Sequence, residues 1–190
     1  HPDNVPEGRI LAATWVDADD NLWLFGGAAE GTPTLRYNDL WKFDGTNWTW
    51  VAGSDLPNQF GVYGTKGEAH ADNYPGSRAG RMSWTDAEGN FWLFGGYGCA
   101  SSTCGELNDL WKFDGENWTW VSGSQNYTTG EYGEQGIPHA DNAPGSRFGS
   151  VAWTDNQGNL WLFGGYGASM STIANYLNDL WVFDGENWAW

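Results

Sequence analysis

Apolar and polar residues alternate along this chain over short stretches, the two-residue period of half-buried strands. Four such stretches follow one another between residues 78 and 121. Arg78 to Thr85 (RAGRMSWT) predicts a first strand, ending in a turn at Asp86-Ala-Glu-Gly89. Asn90 to Phe94 (NFWLF) is a short apolar run, read as a second strand that stops at Gly95-Gly96. Asp109 to Phe113 (DLWKF) alternates Leu110 and Lys112 with Trp111 and Phe113. Asp114-Gly115 then supplies a tight turn, where glycine tolerates positive φ and aspartate can bond the backbone. Asn117 to Val121 (NWTWV) gives the fourth strand, with Trp118 and Trp120 sharing one face. Four strands joined by short turns predict an antiparallel meander. No stretch of comparable strength has helical periodicity.

The same pattern recurs three times. His1-Pro-Asp-Asn, His70-Ala-Asp-Asn and His139-Ala-Asp-Asn open copies spaced 69 residues apart. Each copy carries Phe-Gly-Gly (Phe25, Phe94, Phe163), then Asn-Asp-Leu-Trp (from Asn38, Asn108, Asn178) and Asp-Gly-x-Asn-Trp (from Asp44, Asp114, Asp184). Copies of this kind bury their apolar faces against one another. The 15 tryptophans divide evenly, Trp15, Trp23, Trp41, Trp48 and Trp50 recurring at matching places. A residue needed by every copy is expected in packing between copies, where one buried aromatic removes roughly 150–250 Å² from water. Recognition by aromatics would then rest on those read as non-repeated: Tyr37, Tyr63, Tyr127 and Tyr132.

In the Gly-Gly pair, the Asn-Asp-Leu-Trp strand and the final Asn-Trp, the chain resembles the kelch repeat, found in β-propellers including the central domain of galactose oxidase-like proteins. The resemblance covers essentially the whole chain, although these units exceed the usual kelch period of about 50 residues. The extra length lies between strand four and the next strand one, for example Ser122 to Ser146, as in large bacterial secreted kelch proteins. It implies an all-β fold of four-stranded antiparallel blades: blade 1 with its linker at 1–69, blade 2 with its linker at 70–138, blade 3 at 139–190. Arg9, Arg78 and Arg147 resemble the kelch arginine and are expected to pair with backbone or aspartate.

Propellers close with four to eight blades, so three would leave two apolar faces exposed. Two arrangements answer this: a second copy completes a six-bladed homodimeric ring, the arrangement preferred here, or the chain is an excerpt of a longer array.

Composition narrows the partners. A net charge of -16, with 8 Lys and Arg against 24 Asp and Glu, argues against nucleic acid and anionic membranes. No apolar run approaches the roughly 20 residues of a membrane helix. Cys99 and Cys104 bracket a small polar loop and are expected to form a local disulfide, hence an oxidising, extracellular or cell-surface location. A start at His1 fits a processed secreted protein or a segment of a longer one.

Function is expected on the face carrying the second-to-third connections, whose sequences differ between copies (AAEGTPTLRY, YGCASSTCGEL, YGASMSTIANYL). This points to Arg36, Tyr37, Tyr97, Tyr166, Met170 and Tyr176 as ligand or partner residues. His1, His70 and His139 recur beside Asp3, Asp72 and Asp141 and are weak metal candidates, with linker bonding the simpler role. Asp17-Ala-Asp-Asp20 faintly resembles a calcium loop, but its counterparts are plain turns. Of the sequons at Asn47, Asn117 and Asn126, the first two are placed inside packed strands, leaving Asn126 as an acceptor.

These observations predict a non-catalytic extracellular binding or scaffold module with no cofactor, its partners being a second copy and a protein or glycan. Alternatives are a purely structural or engineered self-assembling propeller, or a copper-radical oxidase. An enzyme resembling galactose oxidase, with copper and a Cys–Tyr cofactor, would need His and Tyr ligands from different blades and a dedicated Cys. Here every His belongs to the repeat and the two Cys are expected to be paired.

Overall fold

The computed structural model describes residues 4–31, 34–170 and 174–190. The described chain is all-β, in three antiparallel sheets that follow one another face to face in a propeller-like arrangement. Unit 1 contains β1 (Ala13–Val16), β2 (Leu22–Ala29), β3 (Leu35–Phe43) and β4 (Trp48–Ala52). Unit 2 contains β5 (Ala69–His70), β6 (Arg78–Ala79), β7 (Met82–Thr85), β8 (Phe91–Cys99), β9 (Cys104–Phe113) and β10 (Trp118–Ser122). Unit 3 contains β11 (Arg147–Phe148), β12 (Val151–Thr154), β13 (Leu160–Gly167), β14 (Asn175–Phe183) and β15 (Trp188–Ala189).

The turns explain why strands one and two, and three and four, pair so closely. Asp17 accepts from the backbone N–H of Asp19 and Asn21 and from Trp23 Nε1, the last at 2.8 Å. Asp86 and Asp155 do the same for Trp92 and Trp161. These carboxylates are spent on the hairpin, so the loop at Asp17 is a turn. In the second turn Asp44, Asp114 and Asp184 each accept from two following backbone N–H groups, and Gly45, Gly115 and Gly185 supply positive φ.

Three expectations need correction. The first strand is broken: β6 and β7 are separated at Gly80, and β11 and β12 at Gly149, both with positive φ. The Gly-Gly pair does not end strand two. Strands β2, β8 and β13 run through it, with a register shift at the pair. The pair lets neighbouring units approach, since a Cβ on Gly26 would lie 2.8 Å from Arg78 O and one on Gly95 2.8 Å from Arg147 O. The second-to-third connection is also less of a loop than expected. In unit 2 only Ala100 to Thr103 separate the strands, and the disulfide joins the register partners Cys99 and Cys104 at their ends.

Side chains of one unit interdigitate with the next. Met82, Trp84, Phe94 and Leu110 of unit 2 meet Leu160, Leu162, Trp181, Phe183 and Trp188 of unit 3. Trp15, Trp23 and Phe25 meet Phe91, Phe113 and Trp118 in the same way. Trp15 Nε1 donates to Trp92 O and Trp84 Nε1 to Trp153 O, so each unit hydrogen-bonds the next. The packing role of the tryptophans holds where a neighbour exists. On the outward face of unit 3, Trp153 is 43% exposed, against 4% for its counterpart Trp84.

The long linkers are folded parts of the following unit. Residues 69–70 form an extra edge strand beside β10, and His139 bridges Trp188. Asn73 Nδ2 donates to Glu68 O and Trp118 O, and Asn142 repeats this with Ile137 O and Trp188 O.

Candidate functional site

Four of the predicted ligand residues come together in one aromatic ladder across all three units. The Arg36 guanidinium lies over the Tyr97 ring at 4.6 Å. Tyr97 meets Phe148 at 5.9 Å, Phe148 meets Tyr166 at 5.6 Å, and Tyr166 meets Tyr176 at 5.3 Å. The register explains the alignment. Arg36 pairs with Ala28, Tyr97 with Ala79, and Tyr166 with both Phe148 and Tyr176, all at the level just past the Gly-Gly bulge. These residues therefore sit on strands rather than in loops. Tyr97 is 37% and Tyr176 85% exposed, which leaves their rings available to a ligand. Tyr127 is exposed nearby, and its phenol is raised above its ordinary value by burial of part of the ring and by the charge of Glu106.

Phe148 was not singled out by the sequence. Its counterparts, Ala79 and Ile10, are not aromatic, and only the pairing with Tyr166 brings it into the ladder.

Met170 is not a member of the ladder but shares with its last member, Tyr176, a cavity of about 900 Å³ beside β14 that Trp161, Asn178, Leu180 and Trp190 also line. Tyr37 does not join the ladder. It is buried, its hydroxyl donates to Glu7 at 2.7 Å, and Arg9 lies over its ring.

Tyr63 and Tyr132 are also corrected. They are equivalent residues of the two linkers, both buried, and each donates its hydroxyl to a repeat aspartate at 2.6 Å. That aspartate anchors a buried network. Arg78 makes two bonds to Asp109, at 2.6 and 2.8 Å, and donates to Gly76 O and Gly95 O, while Trp111 Nε1 donates to Asp109 Oδ2. Arg147 and Asp179 repeat the arrangement, and Arg9 pairs with Asp39. The repeated arginines thus hold the centre of each unit and are satisfied there.

His1 lies outside the described residues. His70 and His139 are exposed, and their Nδ1 atoms accept from the backbone N–H of Asp72 and Asp141. Among the described residues no group of three or more His, Cys, Asp or Glu could hold a metal ion. No helix of the described chain is long and apolar enough to cross a membrane. Asn47 and Asn117 sit at the turns just before β4 and β10, half-buried rather than within the strands, while Asn126 is exposed.

No protein-family model matches the sequence, and comparison with curated proteins gives no significant match. Among solved structures, the chain is similar to YjhT, at 15% identity and a TM-score of 0.46, over 96% of this chain and 70% of that one. It is similar also to a fucose lectin from Kordia zhangzhouensis in complex with methyl-fucoside, at 15% identity and a TM-score of 0.42, over 93% and 94% of the two chains.

Proposed function

We propose that the chain is a half-propeller of kelch type that acts outside the cell as a non-catalytic binding module, with the aromatic ladder as its ligand surface. The ladder from Arg36 to Tyr176 is the observation that carries this reading. Tyrosines give broad, rigid, amphipathic contact area at low entropic cost, with a hydroxyl at the rim. With a net charge of -16 the surface disfavours anionic ligands, so the class it suits is a neutral glycan. The Cys99–Cys104 disulfide supports an oxidising compartment.

Closure by a second copy completes the reading. Val151, Trp153, Phe163 and Leu180 are 42–63% exposed, whereas their counterparts Met82, Trp84, Phe94 and Leu110 are at most 4% exposed beneath unit 3. On the opposite end, Phe43 and Trp48 are half-buried where Phe113 and Trp118 are buried. The two ends therefore repeat the two halves of an interface this chain already makes twice. Joining them would place unit 3 of one copy against unit 1 of the other.

Binding of the labelled chain to an array of neutral and acidic glycans tests the ligand surface. Saturable binding to a neutral glycan, weakened at least tenfold by Tyr97→Ala and by Tyr176→Ala, is expected. Binding that ignores both substitutions would refute the assignment.

A further inference from the structure

Each linker places one tyrosine in a socket, and unit 1 carries the equivalent tryptophans and aspartate, with Tyr37 where units 2 and 3 have Leu107 and Leu177. In unit 2, Tyr63 meets Trp111 at 4.8 Å and Trp120 at 5.2 Å, and its hydroxyl donates to Asp109 Oδ2 at 2.6 Å. In unit 3, Tyr132 meets Trp181 at 4.8 Å and Trp190 at 5.2 Å, and donates to Asp179 Oδ2 at 2.6 Å. The corresponding residues of unit 1 are Trp41, Trp50 and Asp39. Together with Arg9, the counterpart of Arg78, they line a cavity of about 200 Å³, whose wall also includes Tyr37 and the acidic residues Glu7 and Asp55.

The polar end of that cavity offers a phenol the same acceptor. Asp39 Oδ1 accepts one bond from Arg9, where Asp109 accepts two from Arg78, and Asp39 Oδ2 accepts from Trp41 Nε1 at 2.7 Å, as Asp109 Oδ2 does from Trp111. Among the described residues no tyrosine hydroxyl reaches Asp39, although Asp109 and Asp179 each receive one. Trp50 is 44% exposed, while Trp120, beneath Tyr63, is 9% exposed. Trp50 Nε1 donates to Ala52 O at 2.8 Å, as Trp120 Nε1 does to Ser122 O, so the ring is held in the same pose with or without the tyrosine.

We propose that this cavity is a binding site for a tyrosine side chain carried on a Tyr-Gly peptide segment. The segment is required as well as the ring. Gly64 and Gly133 follow the two tyrosines in positive φ, and a Cβ there would strike Asn73 or Asn142. Three residues after Tyr63, Lys66 lies over Trp120 at 4.4 Å and donates to Gly123 O at 2.9 Å. A cation so placed would meet Trp50 in unit 1, on a strongly acidic chain. The socket is formed by unit 1 and by Asp55 at the start of the linker that follows it, so it depends on neither ring closure nor a glycan ligand.

The test is titration of the full chain with a synthetic peptide of residues 58–68 (NQFGVYGTKGE), followed by calorimetry. Saturable one-to-one binding is expected, lost when the peptide tyrosine is alanine. It should weaken about tenfold or more when that tyrosine is phenylalanine, which removes a hydrogen bond to a charged group. Trp50→Ala in the chain should abolish binding; Trp50 lies at a sheet edge, and an unchanged thermal melt would show that the fold is intact. Trp50→Phe should restore part of it. Absence of binding at 1 mM peptide, equal binding of the tyrosine and alanine peptides, or indifference to Trp50→Ala would overturn the proposal. Para-cresol binding as tightly as the peptide would also overturn it, in favour of a small free phenol.

Discussion

At the scale of single residues, the structure is governed by where its few cations go. Arg78 and Asp109 are both fully buried, and the pair is tolerable only because backbone carbonyls, Tyr63 and Trp111 satisfy the remaining polar atoms. Asp109→Ala would strand the guanidinium and should cost about 3–5 kcal/mol in urea unfolding. Titration adds a pH signature. For Asp155, bonds from Trp161 Nε1 and Asn159 hold the carboxyl down at about 2. For Asp179, burial opposes ionisation, yet the bonds from Arg147 prevail and lower it. Depressed carboxyls stabilise the fold above their unfolded value near 3.8, and this is lost as pH falls through the folded value. Tyr132 is pushed up to about 12 by burial and by its bond to Asp179, and Tyr63 is raised as well. Its contribution is complete below pH 10 and is lost as pH rises toward 12. Urea midpoints followed by tryptophan fluorescence should therefore fall between pH 4 and 2 and again between pH 10 and 12. The recurrence of the arginines and their likeness to the kelch arginine predict partners in backbone or aspartate, and Arg78 uses both. The equivalence of Tyr63 and Tyr132 is legible as well, since both stand in Gly-x-Tyr-Gly-x-x-Gly at the repeat spacing of 69 residues, and it overturns their reading as non-repeated aromatics.

At the scale of elements, hydrophobic alternation and the Asp-Gly turns revealed the strands but not their lengths. Strand two reads as ending at Gly95-Gly96 because glycine weakens a strand by propensity. Tertiary approach reverses that reading: the pair is a bulge where the next unit's backbone comes close. A consequence is measurable. A methyl on Gly95 would meet both Leu107 O and Arg147 O at 2.8 Å, whereas one on Gly164 would meet only Leu177 O, at 3.0 Å. Both positions have positive φ, so both alanine variants are strained, but Gly95→Ala should be less stable than Gly164→Ala by about 1 kcal/mol or more. Equal losses by urea denaturation would deny the close approach of units 2 and 3. The Cys99–Cys104 link closes a loop of a few residues, so replacing both with serine should cost only about 2 kcal/mol. The ladder was legible in part. Four of its members stand out as variable residues on a repeated frame, while Phe148 appears only once register is known.

At the scale of the whole molecule, the triplication was plain in the sequence, and so was the need for something to cover the end faces. What the structure adds is which residues wait there. Val151, Trp153, Phe163 and Leu180 are exposed at one end, and Phe43 and Trp48 are half-buried at the other. At about 25 cal/mol/Å², hiding such side chains drives association strongly. On the proposed closure, two copies hide them in each other. Light scattering of the purified chain at low micromolar concentration measures this directly. The predicted mass is twice the chain's 21.0 kDa, about 42 kDa, with Phe163→Asp and Leu180→Asp together returning it to the mass of one chain. A stable monomer of 21.0 kDa in the unaltered protein, with no exposed-hydrophobe signal, would contradict it.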